Sequence, residues 1–192
     1  MVTAYISFGS NLGDRNKNIE KAIEYIKELT GIAIKKVSSI YETEPVDGPP
    51  QEKFLNGVME IETSLLPDEL LDRLKGVESR LGRVKVEDNG PRPIDLDILF
   101  YDDIVIGGER IKIPHPRMHE REFVLRGLNE IAPQFLHPKL GKTVKELYEG
   151  ISSSDEPSPS HGGQLGKQEG PGENNKVSQP DAGIQQPPQE SA

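Results

Sequence analysis

Gly90-Pro-Arg-Pro-Ile-Asp-Leu-Asp-Ile-Leu-Phe100 alternates acidic and aliphatic residues over its second half, a period of two that suits a β-strand. Successive side chains on a strand point to opposite faces, so Asp95 and Asp97 share one face while Ile94, Leu96, Ile98 and Phe100 fill the other. One face is fit for core and the other for a site. At a rise of about 3.3 Å per residue the carboxylates start roughly 6.6 Å apart, and at an effective dielectric of ~20 they repel by about 2.5 kcal/mol. A divalent cation reverses that cost. Taken alone, a D-x-D pair is read as the solvated face of a half-buried strand, so its company decides.

Working outward, Thr3 to Phe8 alternates, with Ala4, Ile6 and Phe8 on one side, and runs into the turn Gly9-Ser-Asn-Leu-Gly13. Ile19, Ala22, Ile23, Ile26 and Leu29 follow helical spacing up to Gly31, which is placed to cap the helix. Residues 32–41 predict a second strand, and Leu55, Met59 and Ile61 against Glu60 and Glu62 a third. Pro67-Asp-Glu69 suits a helix N-terminus, followed by a stripe of Leu70, Leu71, Leu74, Val77 and Leu81. Beyond the Asp95/Asp97 strand come a hairpin through Gly107-Gly108 and helices over 123–131 and 144–151. The order β-α-β-β-α-β predicts an α+β ferredoxin-like sandwich, an antiparallel sheet with helices packed on one face.

The 192 residues suit one domain, assigned to 1–151, followed by an appendage over 152–192. From Ser152 onward there are no aromatic residues, and six acidic residues stand against two lysines, a composition that cannot bury a core. With no cysteine the chain has neither disulfides nor thiolate metal sites. The N-terminal Met-Val-Thr-Ala-Tyr-Ile lacks a basic n-region, and no apolar run approaches the ~20 residues of a membrane span, so a cytoplasmic location and no membrane partner are expected. A formal net charge of −9 argues against nucleic acid as a partner. Any anion site must be local, and a monomer is expected.

Arg83, Lys85 and Arg92, then Arg110, Lys112, His115, Arg117, His119 and Arg121, crowd around the paired aspartates of this acidic chain. Acids for Mg²⁺ beside bases for phosphate describe a nucleoside triphosphate site, against the alternative of a solvated charged face. Neither common phosphate loop is present. Gly141-Lys-Thr143 is preceded by Leu136 where a Walker A loop needs glycine, and Gly9-Ser-Asn-Leu-Gly13 is not the dinucleotide fingerprint. Pro114 and Pro116 oppose a helix that would present His115 and His119 to one metal, so hydrogen bonding to phosphate is the expected role of His115. Phe54 and Asn56, after the loop Thr43 to Gln51, supply an aromatic face and an amide that together can stack on and read a flat heterocycle. Two other classes remain on these residues: a non-catalytic nucleotide- or ligand-binding regulatory module of the same fold, and an RNA-binding sheet. The acids and Arg92 disfavour the first. The second is disfavoured by five phenylalanines and the negative charge.

Gly9-Ser-Asn11, Phe54-Leu-Asn56, Gly90-Pro-Arg-x-x-Asp-Leu-Asp97 and Pro114-His-Pro-Arg-x-x-x-Arg-x-Phe-Val124, in this order and spacing, resemble the 6-hydroxymethyl-7,8-dihydropterin pyrophosphokinases of folate biosynthesis. The resemblance covers about residues 2–151. It implies ATP as co-substrate, two Mg²⁺ ions, and transfer of diphosphate to the pterin hydroxymethyl group with release of AMP. It further implies that Asp95 and Asp97 hold the metal. Arg83 and Arg92 would lie on mobile loops that close over the phosphates, and the loops at 44–53 and 83–92 would be lids. ATP would be contacted by Glu78, Lys85, Arg92, Ile98, Arg110, Lys112, His115 and Arg121, and the pterin by Thr43, Val46, Phe54, Asn56 and Phe123. The chain departs from some members at Phe54, which replaces tyrosine and still stacks, at Asn89, which replaces tryptophan, and at Lys85. That last change keeps charge but loses arginine's bidentate fork.

Overall fold

In the computed structural model, which describes residues 1–46, 48–84 and 89–153, the alternating segments pair into one antiparallel sheet. Its strands are β1 (Val2–Ser10), β2 (Ile32–Val37), β4 (Phe54–Thr63) and β5 (Asp95–Tyr101) in the order β2-β4-β1-β5, with β3 (Tyr41–Thr43) added alongside β4. Helices α1 (Arg15–Lys27) and α2 (Pro67–Arg80) make the two crossovers, giving the predicted ferredoxin-like order. A short hairpin, β6 (Ile106–Gly107) with β7 (Lys112–Ile113), leads through a 3₁₀ turn (Met118–Glu120) to α3 (Glu122–Ile131) and α4 (Val144–Ser152). No helix among the described residues is long and apolar enough to cross a membrane.

Local chemistry accounts for the helix ends. Asp14 Oδ1 accepts the Lys17 N–H at 3.1 Å, and Glu69 Oε2 accepts the Leu66 N–H at 2.9 Å just ahead of Pro67. The Thr143 hydroxyl and the Glu146 carboxylate cap α4 reciprocally. Gly31 does not cap α1, which stops at Lys27; it turns the chain into β2 with φ +85°. The predicted strand over 32–41 is broken at Ser38, whose N–H and hydroxyl oxygen bond the Val58 carbonyl and amide at 2.8 and 2.9 Å and bend the chain between β2 and β3.

Ala4, Ile6, Phe8, Met59, Ile61, Leu96 and Ile98 face α1 and α2 and bury Ile19, Ala22, Ile26, Leu70, Leu74 and Val77. Two sequence expectations are corrected here. The helices do not all lie on one face: α3 and α4 cover the opposite face, packing Val124, Leu128 and Val144 on Tyr5, Val58 and Leu99. Phe100 also belongs to this second layer and not with Leu96 and Ile98. The β1–β5 register runs Tyr5↔Phe100 and then Ile6↔Ile98, so Leu99 is an extra residue that re-phases the strand. Past this bulge Phe100 packs on Phe135 at 4.6 Å and on His137 at 5.3 Å between ring centroids, which makes His137 a core residue.

Helix α3 approaches the sheet closely at Gly127, where a Cβ would lie 2.5 Å from Tyr41 Oη and 2.7 Å from Val58 Cγ2. Tyr41 cannot yield easily, because its hydroxyl donates to the Phe123 carbonyl at 2.6 Å. Gly127→Ala is therefore expected to destabilise the fold by about 1–3 kcal/mol through overpacking, despite alanine's higher helix propensity. A thermal melt unchanged from the parent would show that α3 can shift outward freely.

Candidate active site

Three neighbouring strands bring the sequence candidates to one face. Gly9 pairs with Asn56 on one side and Asp95 on the other, and Ser7 pairs with Val58 and Asp97. Asn56 and the acids thus flank a floor made of Ser7 and Gly9. A side chain at position 9 would intrude there, since a Cβ would sit 2.7 Å from Asn56 Oδ1. Thr43 comes from the end of β3, Val46 and Asn89 from the loops above, and Arg121, Phe123 and Val124 from the start of α3. The cleft is open at its mouth, and the empty space within it and over the mouth comes to about 670 Å³.

The ring-binding candidates lie together on the β4 side. Phe54 and Phe123 both line the cleft, and Asn56 Nδ2 donates to Thr43 Oγ1 at 2.6 Å, which fixes the orientation of the amide. Val46 lines the mouth and is 61% exposed.

On the β5 side, burial pushes the Asp95 carboxyl up, but Arg92 and Arg83 outweigh burial and hold it below the usual carboxylate range. Arg92 Nε and Nη2 lie 2.9 and 2.8 Å from Asp95 Oδ2, and Arg83 Nη1 donates to Oδ1 at 2.5 Å. Asp97 is shifted upward, by burial first and by the Asp95 charge second. A nearby cation is Lys75 Nζ, 3.8 Å from Asp97 Oδ1. His115 donates its backbone N–H to Leu99 O at 3.0 Å. Burial lowers the pKa of its imidazole while Asp97 pulls the other way.

A second group lies around the edge of β5, toward α2. As the edge strand, β5 turns the Leu96 N–H and C=O outward, and α2 satisfies both: Glu78 Oε1 accepts the N–H at 2.7 Å and Lys75 Nζ donates to the carbonyl at 3.2 Å. Glu78, only 3% exposed, also pairs with Lys75 at 2.8 Å and Arg83 at 2.6 Å. Ile98 points into the α1/α2 layer, Arg110 pairs with Asp72 and Asp68 of α2, and Lys112 is exposed on β7. Arg117 lies against Glu120, and His119 stacks edge-on to His137, so neither belongs to the cleft lining. Lys85 and part of each expected lid, Asp47 and residues 85–88, fall outside the described residues.

Lys75 and Gln51 were not among the sequence candidates, and Asn11 entered only as part of a motif. The i,i+3 spacing of Lys75 and Glu78 marks a shared helix face, but nothing local says that this face meets β5.

Fold and cleft define a ferredoxin-like protein with a small-molecule site of paired acids, arginines and aromatic rings. The chain belongs to the 7,8-dihydro-6-hydroxymethylpterin-pyrophosphokinase (HPPK) family, whose model matches residues 5–133. It is 44% identical over 147 residues to the 2-amino-4-hydroxy-6-hydroxymethyldihydropteridine pyrophosphokinase of Aquifex aeolicus, covering 77% of this chain and 91% of that protein. To a folic acid synthesis protein of Pneumocystis carinii it is 46% identical over 151 residues, 79% of this chain but 20% of that protein. The chain thus spans about a fifth of that fungal relative. A crystal structure of Plasmodium falciparum HPPK-DHPS with pterin and p-hydroxybenzoate shares the fold, with a TM-score of 0.64 at 18% identity over 80% of this chain and 43% of that one.

Proposed function

We propose that residues 1–151 transfer the terminal diphosphate of ATP to the hydroxymethyl oxygen of 6-hydroxymethyl-7,8-dihydropterin, a step of folate biosynthesis, with 152–192 an appended tail. The observation that carries this reading is the row Asn56, Gly9, Asp95 across three strands. It puts a ring-reading amide beside the acids, as a reaction between a heterocycle's substituent and a polyphosphate requires.

The pterin lies between Phe54 and Phe123 with its polar edge on Asn56, near Thr43 and Val46. The triphosphate extends along Asp95, Asp97 and Arg92, with Arg83, Lys85, His115 and Arg121 as further cations or donors. The adenosine end runs over the β5 edge toward Glu78, Ile98, Arg110 and Lys112. Among the described residues no cluster of three or more His, Cys, Asp or Glu gathers, so the protein offers two carboxylates and no closed cage. That donor set fits Mg²⁺, which keeps waters and takes substrate phosphate oxygens beside one or two carboxylates. Asp95 and Asp97 would hold the two ions implied by the family resemblance, which when bound neutralise phosphate charge. The cleft itself aligns the hydroxymethyl oxygen with the β-phosphorus; that O–P bond forms as the bridge to the α-phosphorus breaks, AMP leaves and the hydroxyl proton is released to solvent. Alignment and charge do most of the work. A regulatory module without chemistry is not favoured, because both acids and Arg92 stand in the cleft of a chain of this family.

Incubation with ATP, Mg²⁺ and the pterin is expected to yield AMP only when pterin is present. Pterin-dependent ADP would make the protein a monophosphoryl kinase and overturn the reading, and tight ATP binding without turnover would favour the regulatory module.

A further inference from the structure

The two aromatic walls of the cleft stand on different elements, Phe54 on β4 and Phe123 on α3, so stacking a ring between them requires that the two elements keep a set separation. A flat heterocycle packs at about 3.5–4 Å from each face, and a gap of about 1 Å forfeits up to half of that contact. Tyr41 spans the two elements. It pairs with Asn56 in the β3–β4 register, with Thr43 opposite Phe54, so its side chain rises on the same face as the Asn56 amide. From there its hydroxyl reaches α3 and donates to the Phe123 carbonyl at 2.6 Å. Tyr41 is 9% exposed, and the Arg126 guanidinium lies 4.5 Å from its ring centroid. Burial pushes the phenol's pKa up, so the hydroxyl stays a neutral donor. Gly127 leaves it room, since a Cβ there would lie 2.5 Å from the hydroxyl oxygen.

We propose that Tyr41 is a positioning residue for the aromatic side of the cleft: as a strut from β3 to the first turn of α3 it fixes Phe123 at stacking distance from Phe54. That the ring between them is a pterin rests on the function proposed above; the strut rests on geometry. Tyrosine suits the task, because a rigid ring with two side-chain torsions costs little entropy to order. Its foot is held by the pairing of β3 with β4. Two residues on, Thr43 Oγ1 accepts from Asn56 Nδ2 at 2.6 Å, so one short strand places both the amide that reads the edge of a ring and the wall that covers its face. The far end of α3 is tied to the same segment: the Glu130 carboxylate accepts the Ser39 N–H at 2.9 and 3.0 Å and the Ser39 hydroxyl at 3.0 Å. That tie steadies the helix without touching Phe123, which makes it the control for a purely structural effect.

The test is calorimetric binding of 6-hydroxymethyl-7,8-dihydropterin, and separately of α,β-methylene-ATP with Mg²⁺, to the parent, Tyr41→Phe and Glu130→Ala. Tyr41→Phe removes the hydroxyl and keeps the ring under Arg126. Both variants are expected to melt about 2–6 °C below the parent, each having lost hydrogen bonds at one end of α3. Tyr41→Phe is expected to weaken pterin binding about 3–10-fold, the worth of one hydrogen bond, with binding of the ATP analogue unchanged. Glu130→Ala is expected to leave both affinities at the parental level. In a Phe123→Ala background, Tyr41→Phe should alter pterin affinity by less than about 2-fold, because no ring is left to place. Parental pterin affinity in Tyr41→Phe, a matching loss in Glu130→Ala, or an equal loss in the Phe123→Ala background overturns the proposal. A measurement without ligand separates its failure from failure of the functional reading. The sequence has no tryptophan, so Phe123→Trp puts a single indole in the cleft wall. Adding Tyr41→Phe to it is expected to lower the indole's fluorescence anisotropy, and adding Glu130→Ala is not. Unchanged anisotropy overturns the placement of Phe123 by Tyr41 whether or not pterin binds; lowered anisotropy in a protein whose parent binds no pterin overturns the functional reading and upholds the strut.

Discussion

Asp97→Ala is expected to lower turnover by about 10²–10³-fold, the usual cost of removing one aligned charged group from a preorganised site, while leaving the fold intact. The side chain faces the cleft, keeps 33% exposure and has Lys75 Nζ 3.8 Å away, and the Ser7 hydroxyl bonds the Asp97 backbone carbonyl, which the substitution keeps. In the protein without ligands the substitution removes a carboxylate that burial and Asp95 both disfavour in its ionised form, so stability should hold or rise slightly. Losing turnover without losing stability is the signature of a group placed for chemistry. Parallel measurement of AMP formation and thermal unfolding decides it. Near-parental turnover would remove Asp97 from the mechanism, and a large fall in melting temperature would recast it as structural.

Glu78→Ala should show the opposite pattern, with destabilisation first and activity lost as a consequence. One buried carboxylate bonds the Leu96 amide, Lys75 and Arg83. Its removal leaves a buried N–H without an acceptor at the sheet edge and two cations without their shared anion. Breaking a buried pair costs ~3–5 kcal/mol. Lys75 and Arg83 retain 42% and 25% exposure and can recover water, which puts the expectation at the low end, about 3 kcal/mol, or roughly 6–12 °C in melting temperature for a domain of this size. Glu78→Gln keeps an acceptor for Leu96 and should lose less. Equal losses in the two variants would assign the effect to charge, and no loss in either would show that water replaces the carboxylate.

The two predictions differ because Asp97 lines the cleft while Glu78 is buried against the Leu96 amide at the β5 edge, and the sequence shows only part of that difference. Alternation over Thr3–Phe8 and Asp95–Ile98, and the aliphatic stripe of α2, were legible because each depends on the local period of a strand or helix. Phe100 was assigned to the wrong layer because the bulge at Leu99 arises from pairing with β1. The break at Ser38 likewise depends on Val58, twenty residues away. The apolar stripe of α3 could be read from its own residues, but which sheet face it covers could not, since both faces offer apolar rows.

The site divides in the same way. Asp95 and Asp97 were set on one face by residue type and spacing alone, and the arginine-rich surroundings followed from composition. Placing Asn56 opposite Asp95 across Gly9 required the registers of β4 with β1 and β1 with β5, in which a one-residue slip would turn every side chain to the other face. The bonds of Asn11 to Gln51 and Arg92, and of Glu78 to Leu96, join residues 40, 81 and 18 positions apart. Sequence by itself determined which groups are available and which local periods they follow. Tertiary structure decided which of them meet, because pairing between distant segments sets register, and register sets the face on which each group stands.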